Sequence, residues 1–120
     1  MKRIGLMVGL VILIAACGSA DEPELLGEEL FTSIVVGGKA GCSACHSTAP
    51  SADGVGPSLA GIGSVAGTRV AGMAAGDYLR ESITDPDSHL VGGYASGVMP
   101  KGWDLSDAQI DSLVEYLLGL

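Results

Sequence analysis

Two cysteines and a histidine lie within five residues of one another, in Cys42-Ser43-Ala44-Cys45-His46. Thiolates are nucleophiles and soft metal ligands, and imidazole is a common ligand of iron. Two thiols that are two residues apart and directly followed by an imidazole match the attachment site of a c-type haem. There the thiols bond covalently to one edge of the porphyrin and the imidazole binds the iron. The pentapeptide therefore predicts one covalent haem c on Cys42 and Cys45, with His46 as an axial ligand.

Two other chemistries use a Cys-x-x-Cys pair, and the flanking sequence disfavours both. A thioredoxin-like redox pair opens a helix inside a βαβ unit, whereas residues 35–41 form a Gly-rich segment without a strand pattern. A structural zinc site closes with four ligands, but the only other histidine, His89, lies far downstream and unpaired. Haem attachment is favoured over dithiol chemistry and over zinc binding.

A second axial ligand has few candidates. Met99 lies 53 positions after His46, in a Gly-Val-Met-Pro loop between two predicted helices. A methionine on a loop is harder to explain by core packing than one on a helical stripe, and Pro100 stiffens the adjoining backbone. Met99 is the predicted distal ligand. The weaker candidates are Met73, whose default role is to fill a gap in the core, and His89, a lone loop histidine more typical of a surface.

The first residues have the layout of an export signal. Lys2 and Arg3 precede an apolar run over residues 4–16, which ends in small residues directly before Cys17. As a helix this run would span about 20 Å, less than the ~30 Å hydrocarbon core of a bilayer, so a cleaved signal is favoured over a spanning helix. Small residues followed by a cysteine resemble a bacterial lipoprotein box, in which the cysteine becomes acylated. The alternative is that Cys17 is incidental and the segment an ordinary signal or an uncleaved anchor.

Three parts of the chain follow from this interpretation. Residues 1–16 are a predicted cleaved lipoprotein signal peptide, residues 17–23 the lipidated cysteine with a short tether, and residues 24–120 the folded domain. The three cysteines are then accounted for, one for lipid and two for haem. The predicted location is extracytoplasmic, in the periplasm or at the cell surface, with the lipid on Cys17 holding the protein to the bacterial membrane.

Composition and charge narrow the class further. The chain has only five aromatic residues but 19 glycines, so a small domain of this composition needs something besides side chains to fill its core. A porphyrin would fill it. After processing, 14 acidic residues would face four cationic ones, a net charge of −10. This charge excludes nucleic acid as a partner and favours redox partner proteins with a basic docking face, unless the charge serves solubility alone.

Three helices are predicted. The first runs from Glu24 to about Val36, after Pro23, with an apolar stripe of Leu26, Leu30, Phe31 and Ile34. Gly37 and Gly38 end it.

The second and third helices have clear boundaries. Asp77 is the predicted N-cap of the second helix, and Asp85 before Pro86 ends it. Ser106 and Gln109 form a capping box for the third, whose buried stripe comprises Ile110, Leu113, Val114 and Leu117. Residues 61–76 are too irregular to assign, and no strand alternation, repeat or second domain is predicted.

With these features in hand, the chain resembles a small class I c-type cytochrome. The resemblance covers roughly Gly27–Leu120, and residues 77–118 also look like the cytochrome c domain of terminal-oxidase second subunits. The matching segments are the first helix (Gly27-Glu28-Glu29-Leu30-Phe31), the haem site (Cys42–His46), the loop behind the proximal histidine (Gly56-Pro57) and the distal loop (Met99-Pro100).

The resemblance implies a fold and a ligand set. The fold would be all-α, with three to four short helices and long Gly-rich loops wrapped around one covalently bound haem. Cys42 and Cys45 would carry the thioether bonds, His46 and Met99 would ligate iron, and the Pro57 carbonyl would accept the second ring N–H of His46. It also implies that Gly27 and Tyr116 lie where the first and last helices cross. Plausible propionate contacts are Tyr94, Trp103 and Arg69.

The implied function is single-electron transfer in a respiratory or photosynthetic chain, by a protein that is not an enzyme, either as a free carrier or as a subunit of an oxidoreductase complex. An alternative is a haem enzyme or gas sensor in which Met99 is a labile ligand. A third possibility, without haem, is an acidic lipoprotein binding module.

Overall fold

The computed structural model describes residues 26–120, and the predicted signal peptide, Cys17 and the tether lie outside this range. The described residues form four α-helices, two 3₁₀ turns at Cys42–Ala44 and Ala66–Thr68, and one small antiparallel sheet. This architecture confirms the predicted all-α fold. None of the helices within residues 26–120 is both long and apolar enough to cross a membrane. The helices are α1 (Gly27–Thr32), α2 (Ile62–Val65), α3 (Ala75–Thr84) and α4 (Asp107–Leu118); the strands are β1 (Val35–Val36) and β2 (Lys39–Ala40).

Helix α4 follows its predicted pattern closely. The Ser106 hydroxyl accepts a hydrogen bond from the Gln109 backbone N–H at 3.1 Å, and the Gln109 side chain accepts one from the Ser106 N–H at 2.9 Å. This reciprocal capping box satisfies two donors that a helix start leaves without a partner. The predicted stripe is buried, and its residues are Ile110, Leu113, Val114 and Leu117.

Helices α1 and α4 cross at the predicted pair of residues. A Cβ added to Gly27 would lie 2.7 Å from the Tyr116 Cβ, closer than packed carbon atoms approach, so the crossing requires glycine here. Phe31 packs on the Tyr116 ring with 5.5 Å between the ring centroids. The core of the domain lies between this crossing and helices α2 and α3.

Helix α1 is shorter than the predicted Glu24–Val36. Among the described residues it begins at Gly27 and ends at Thr32. The hydroxyls of Thr32 and Ser33 donate to carbonyls of the preceding turn, and Ser33 already has an extended backbone. The predicted stripe is only half correct, because Leu30 and Phe31 are buried while Leu26 and Ile34 are 68% and 89% exposed.

A β-hairpin occupies the end of the predicted first helix. Val35 pairs with Ala40, and Val36 pairs with Lys39. Gly37 and Gly38 both have positive φ, +50° and +75°, as a two-residue hairpin turn of type I′ requires. The β-branched residues before the turn also favour a strand over a helix. The expectation of no strand was therefore wrong at this point.

Helix α3 ends as predicted but starts earlier. Its N-cap is Ala74 rather than Asp77, and Asp77 lies in the first turn, where its charge faces the positive end of the helix. Asp85, before Pro86, ends the helix. The segment that sequence left unassigned, residues 61–76, contains α2 and a 3₁₀ turn, and its Ala66 is fully buried against the core.

Candidate haem site

A tight 3₁₀ turn brings the cysteines and the histidine together. The backbone N–H groups of Cys45 and His46 both donate to the Cys42 carbonyl, at 3.2 and 3.0 Å. Both cysteines are free thiols and partly buried. Burial raises the pKa of the Cys42 thiol; a backbone hydrogen bond opposes this, and the nearby Cys45 adds to it. The turn keeps two thiols beside one imidazole, with no disulfide between them.

The loop after the turn fixes the ring of His46. His46 Nδ1 lies 2.9 Å from the Pro57 carbonyl oxygen, the hydrogen bond that the resemblance implied. With its proton on Nδ1, the ring donates to Pro57 and keeps the Nε2 lone pair for a metal. The Gly56 N–H donates to the Cys45 carbonyl at 2.9 Å, which ties this loop to the turn.

Gly56 is packed directly against the imidazole. A Cβ at this position would lie 2.5 Å from His46 Cε1 and 2.7 Å from Nδ1. Any side chain would therefore push the ring away from the Pro57 carbonyl. The sequence predicts Gly56 only as part of the loop behind His46, and its contact with the ring follows from the fold.

All five residues predicted to bind the haem line the same cleft. Its volume is about 240 Å³, and its lining is mainly apolar. Helices α1, α3 and α4 supply its buried wall, while the attachment turn and the distal loop close its two sides. The predicted residues that line it are Cys42, Cys45, His46, Pro57 and Met99.

The distal side of the cleft is a long loop between α3 and α4. Met99 is partly buried on it and lines the cleft. The carboxylates of Asp85 and Asp87 each lie 2.9 Å from the Lys101 ammonium. The Gly97 backbone N–H donates to the other oxygen of Asp87 at 2.9 Å. Residues on both sides of Met99 are thus held to the end of α3.

The two weaker ligand candidates have different surroundings. Met73 packs against the hydrophobic core and does not line the cleft. His89 does line it and is only 23% exposed, so the expected surface location is wrong. Its Nε2 lies 3.2 Å from a Glu81 carboxylate oxygen, and its ring packs near Tyr78 with 6.0 Å between centroids. These contacts with Glu81 and Tyr78 hold the His89 ring as part of the cleft wall.

Polar groups in the cleft wall fit a bound group that carries oxygen acceptors. Trp103 Nε1 and Ser82 Oγ are buried without a hydrogen-bond partner among the described residues, and buried donors are normally paired. Both residues line the cleft, as do Tyr94 and Arg69. A haem offers a flat apolar body for the apolar wall and two propionates for such donors, so the lining fits this cofactor. Sequence reasoning missed Ser82, because a serine on a helix carries no signal of the direction it faces.

Fold and site together define a small helical haem protein of the c type. The chain belongs to the cytochrome c family, whose model matches residues 26–120. No curated protein and no solved structure is similar enough to the chain to extend this comparison.

Family membership establishes the coarse function. The protein is a class I c-type cytochrome with covalently bound haem c, and it is a haem-based electron carrier. Domains of this family are typically extracytoplasmic and transfer electrons rather than catalyse reactions. Cys42 and Cys45 stand where the family's attachment motif requires them.

Proposed function

We propose that the protein carries single electrons through one haem with His46 and Met99 as its axial ligands. The observation that carries this proposal is that both side chains line one apolar cleft together with the two cysteines. His46 offers Nε2 as a ligand because its Nδ1 proton is used by Pro57. Met99 is the thioether of the loop that faces this cleft.

The residues that would hold the haem follow from the cleft lining. Cys42 and Cys45 would bond to the porphyrin edge. Trp103 and Ser82 have buried donors without partners, and Arg69 and Tyr94 add polar groups to the same lining, so they are the candidates for the propionates. When bound, the haem supplies a one-electron ferric–ferrous couple.

Two protein ligands on the haem iron suit electron transfer better than catalysis. With His46 and Met99 both bound, no iron position is open to oxygen or peroxide. A thioether ligand also raises the reduction potential. The enzyme or gas-sensor alternative requires Met99 to leave readily.

The proposal is tested by adding carbon monoxide to the reduced holoprotein. The protein should be made in a host that attaches c-type haem, and its absorption spectrum recorded at neutral pH. We expect no rapid change in the spectrum, because the distal position is filled. Rapid binding would favour the enzyme or sensor function, and a colourless protein would favour an acidic lipoprotein binding module.

We also propose that a lipid on Cys17 anchors the carrier to the outer side of a bacterial membrane, in a respiratory or photosynthetic chain. The support is the apolar run and small residues directly before this cysteine. Incorporation of a labelled fatty acid tests the anchor. Wild type should take up the label and Cys17→Ala should not, with Ser19→Ala as the control that keeps the lipid; a wild-type protein without label would contradict the anchor.

The redox partners are proposed to have a basic docking face. The support is the chain's excess of acidic over basic residues, 14 against six. Opposite charges speed encounter at low ionic strength and are screened by salt. The electron-transfer rate to a basic partner should therefore fall as salt rises, whereas an acidic partner should show the reverse. A rate that does not depend on salt would contradict a charged docking face.

A further inference from the structure

The segment that carries Met99 has no helix or strand to hold it. Between the end of α3 at Thr84 and the start of α4 at Asp107, the structure contains only turns, bends and irregular backbone. A loop this long has many conformations, and ordering it costs entropy. Contacts between its side chains and a rigid element must therefore fix the distance of Met99 from the opposite side of the cleft.

One carboxylate bridges the residues on either side of Met99. Asp87 Oδ1 accepts a hydrogen bond from the Gly97 backbone N–H at 2.9 Å. Asp87 Oδ2 lies 2.9 Å from Lys101 Nζ. Gly97 and Lys101 are two residues before and two residues after Met99, so Asp87 closes a small loop with Met99 at its tip. Its side chain is 29% exposed and lines the cleft.

The bridge is anchored to the end of α3. Lys101 Nζ is also 2.9 Å from Asp85 Oδ1, and Asp85 is the C-cap residue of that helix. The Ser88 hydroxyl donates to the other Asp85 oxygen at 2.5 Å. Pro86, between the two aspartates, is buried. The two carboxylates therefore lie at the start of the loop, next to the end of α3, and hold its far part to this helix end.

We propose that Asp87, with Lys101 and Asp85, is a positioning clamp that keeps Met99 directed at the haem iron. This inference rests on the proposed function of Met99 as a ligand. The clamp acts on Met99 through the loop rather than as a ligand of the iron. With a haem bound, it would keep the thioether near the iron and so disfavour replacement of Met99 by an external ligand.

The same molecule contains a matched control. Arg80 of α3 pairs with Asp111 and, at 3.7 Å, with Asp107 of α4. These ion pairs, like those of the clamp, join partly exposed and exposed side chains, but none of the three residues lines the cleft. Both sets join elements of the fold, and exposed ion pairs contribute little to global stability. Only the clamp borders the loop of Met99.

The test compares Asp87→Ala with Asp111→Ala in the ferric holoprotein. Imidazole must displace Met99 to bind the iron, so its binding is measured by the loss of the sulfur–iron charge-transfer band. Asp87→Ala removes one ion pair and one charged hydrogen bond to the backbone, so we expect imidazole affinity to rise about tenfold. Asp111→Ala should change it less than about twofold, although denaturant unfolding of both variants should shift to a similar degree.

Equal gains in imidazole affinity for the two variants would overturn the clamp. If Asp87→Ala does not fold, Lys101→Gln and Arg80→Gln repeat the comparison, and Lys101→Arg should restore the wild-type affinity because it keeps the charge. In wild type, molar salt should raise imidazole affinity by screening the ion pairs, and an affinity independent of salt would count against the clamp.

Failure of the proposed ligand has a separate signature. A wild-type ferric protein without the sulfur–iron band, together with an unchanged spectrum for Met99→Ala, would overturn the His46/Met99 ligand pair itself. The clamp alone would be overturned by a different result. In that case wild type shows the sulfur–iron band, and imidazole removes it from Asp87→Ala and Lys101→Gln no more readily than from Asp111→Ala and Arg80→Gln.

Discussion

His46 and Met99 line the same cleft, but hydrogen bonds to backbone carbonyls hold the first, whereas carboxylate side chains hold the second through ion pairs and one hydrogen bond. His46 follows a 3₁₀ turn and donates its backbone N–H to the Cys42 carbonyl, and the Pro57 carbonyl fixes its ring. The thioether belongs to a loop that Lys101 and Asp87 hold to the end of α3. We call these the proximal side and the distal side of the cleft.

Of the two sides, only the distal one should respond to solution conditions. Backbone hydrogen bonds and close packing do not depend on ionic strength, and a side chain that disturbs them meets atoms that cannot move far. Exposed ion pairs are weaker, and salt screens them. The proximal side should therefore be rigid under all conditions that leave the protein folded, while the distal side should respond to salt, acid and substitution.

The largest effect is expected from removing the two cysteines of the proximal side, which would abolish covalent attachment of the haem. A Cys42→Ala/Cys45→Ala variant has no thiol to bond to the porphyrin, so nearly all haem should be extractable with acidified organic solvent. Ser43→Ala, within the same turn, is the control and should keep its haem covalently bound. Haem that resists extraction from the double variant would contradict attachment through these thiols.

The second-largest effect is expected from removing Met99, the proposed distal ligand. Met99→Ala should lower the reduction potential, by a substantial part of the ~0.8 V range that axial ligands span, and should open the iron to carbon monoxide. Potentiometry and the spectrum with added carbon monoxide measure these changes. Met73→Ala is the control, since Met73 packs on the core; a potential that falls for Met73→Ala instead would exchange the roles of the two residues.

A smaller steric change tests the rigidity of the proximal side. Gly56→Ala puts a Cβ 2.5 Å from the His46 ring, so we expect the free energy of unfolding to fall by about 1–3 kcal/mol, as measured by denaturant titration. At Gly54 the nearest atom to an added Cβ is 3.6 Å away, and Gly54→Ala should have little effect. Equal losses in both variants would mean that the ring is not held by close packing.

The smallest effect should come from acid on the distal side. The Ser88 hydrogen bond, and then Lys101, hold the pKa of Asp85 below its usual range; the Gly97 N–H, and then Lys101, do the same for Asp87. His89 also lowers the pKa of Asp85, while Asp85 slightly raises that of Asp87. A carboxylate with a lowered pKa stabilises the folded state above its unfolded pKa of about 3.9, and that contribution is lost as pH falls through the lowered value.

The distal contacts should therefore be intact at neutral pH and weaken below about pH 4. The sulfur–iron band, followed during acid titration, should fade before the signals of global unfolding change. In Asp87→Asn, which has no proton to take up at this position, the band should be weaker at neutral pH and depend less on acid. An identical acid profile in wild type and this variant would contradict the role of Asp87.

Local patterns predicted much of this molecule because neighbouring residues determine them. The capping box at Ser106 and the apolar period after it define α4 without help from the rest of the fold. Asp85 before Pro86 ends α3 for a similar reason, since proline restricts the residue before it.

Predictions failed where local signals compete. Ile34, Val35 and Val36 continue an apolar pattern, but they are β-branched and lead into a glycine pair, so the hairpin replaces the last turns of the predicted helix. Asp77 is a good N-cap residue, yet Ala75 and Gly76 extend α3 before it. Helix propensity and capping preferences are weak terms that packing readily outweighs.

The cofactor chemistry, the family and the main helices could be predicted from residue order alone, because each depends on residue types at short fixed spacings. The contacts between distant residues required the folded chain: Gly56 against the His46 ring, Ser82 and Trp103 in the cleft wall, and Asp87 between Gly97 and Lys101. Asp87 before Met99 and Lys101 after it carry opposite charges, and these were the one sequence signal for the contact between them. A charge in a sequence does not reveal its partner, however, since the chain must fold before two side chains can lie within reach of each other.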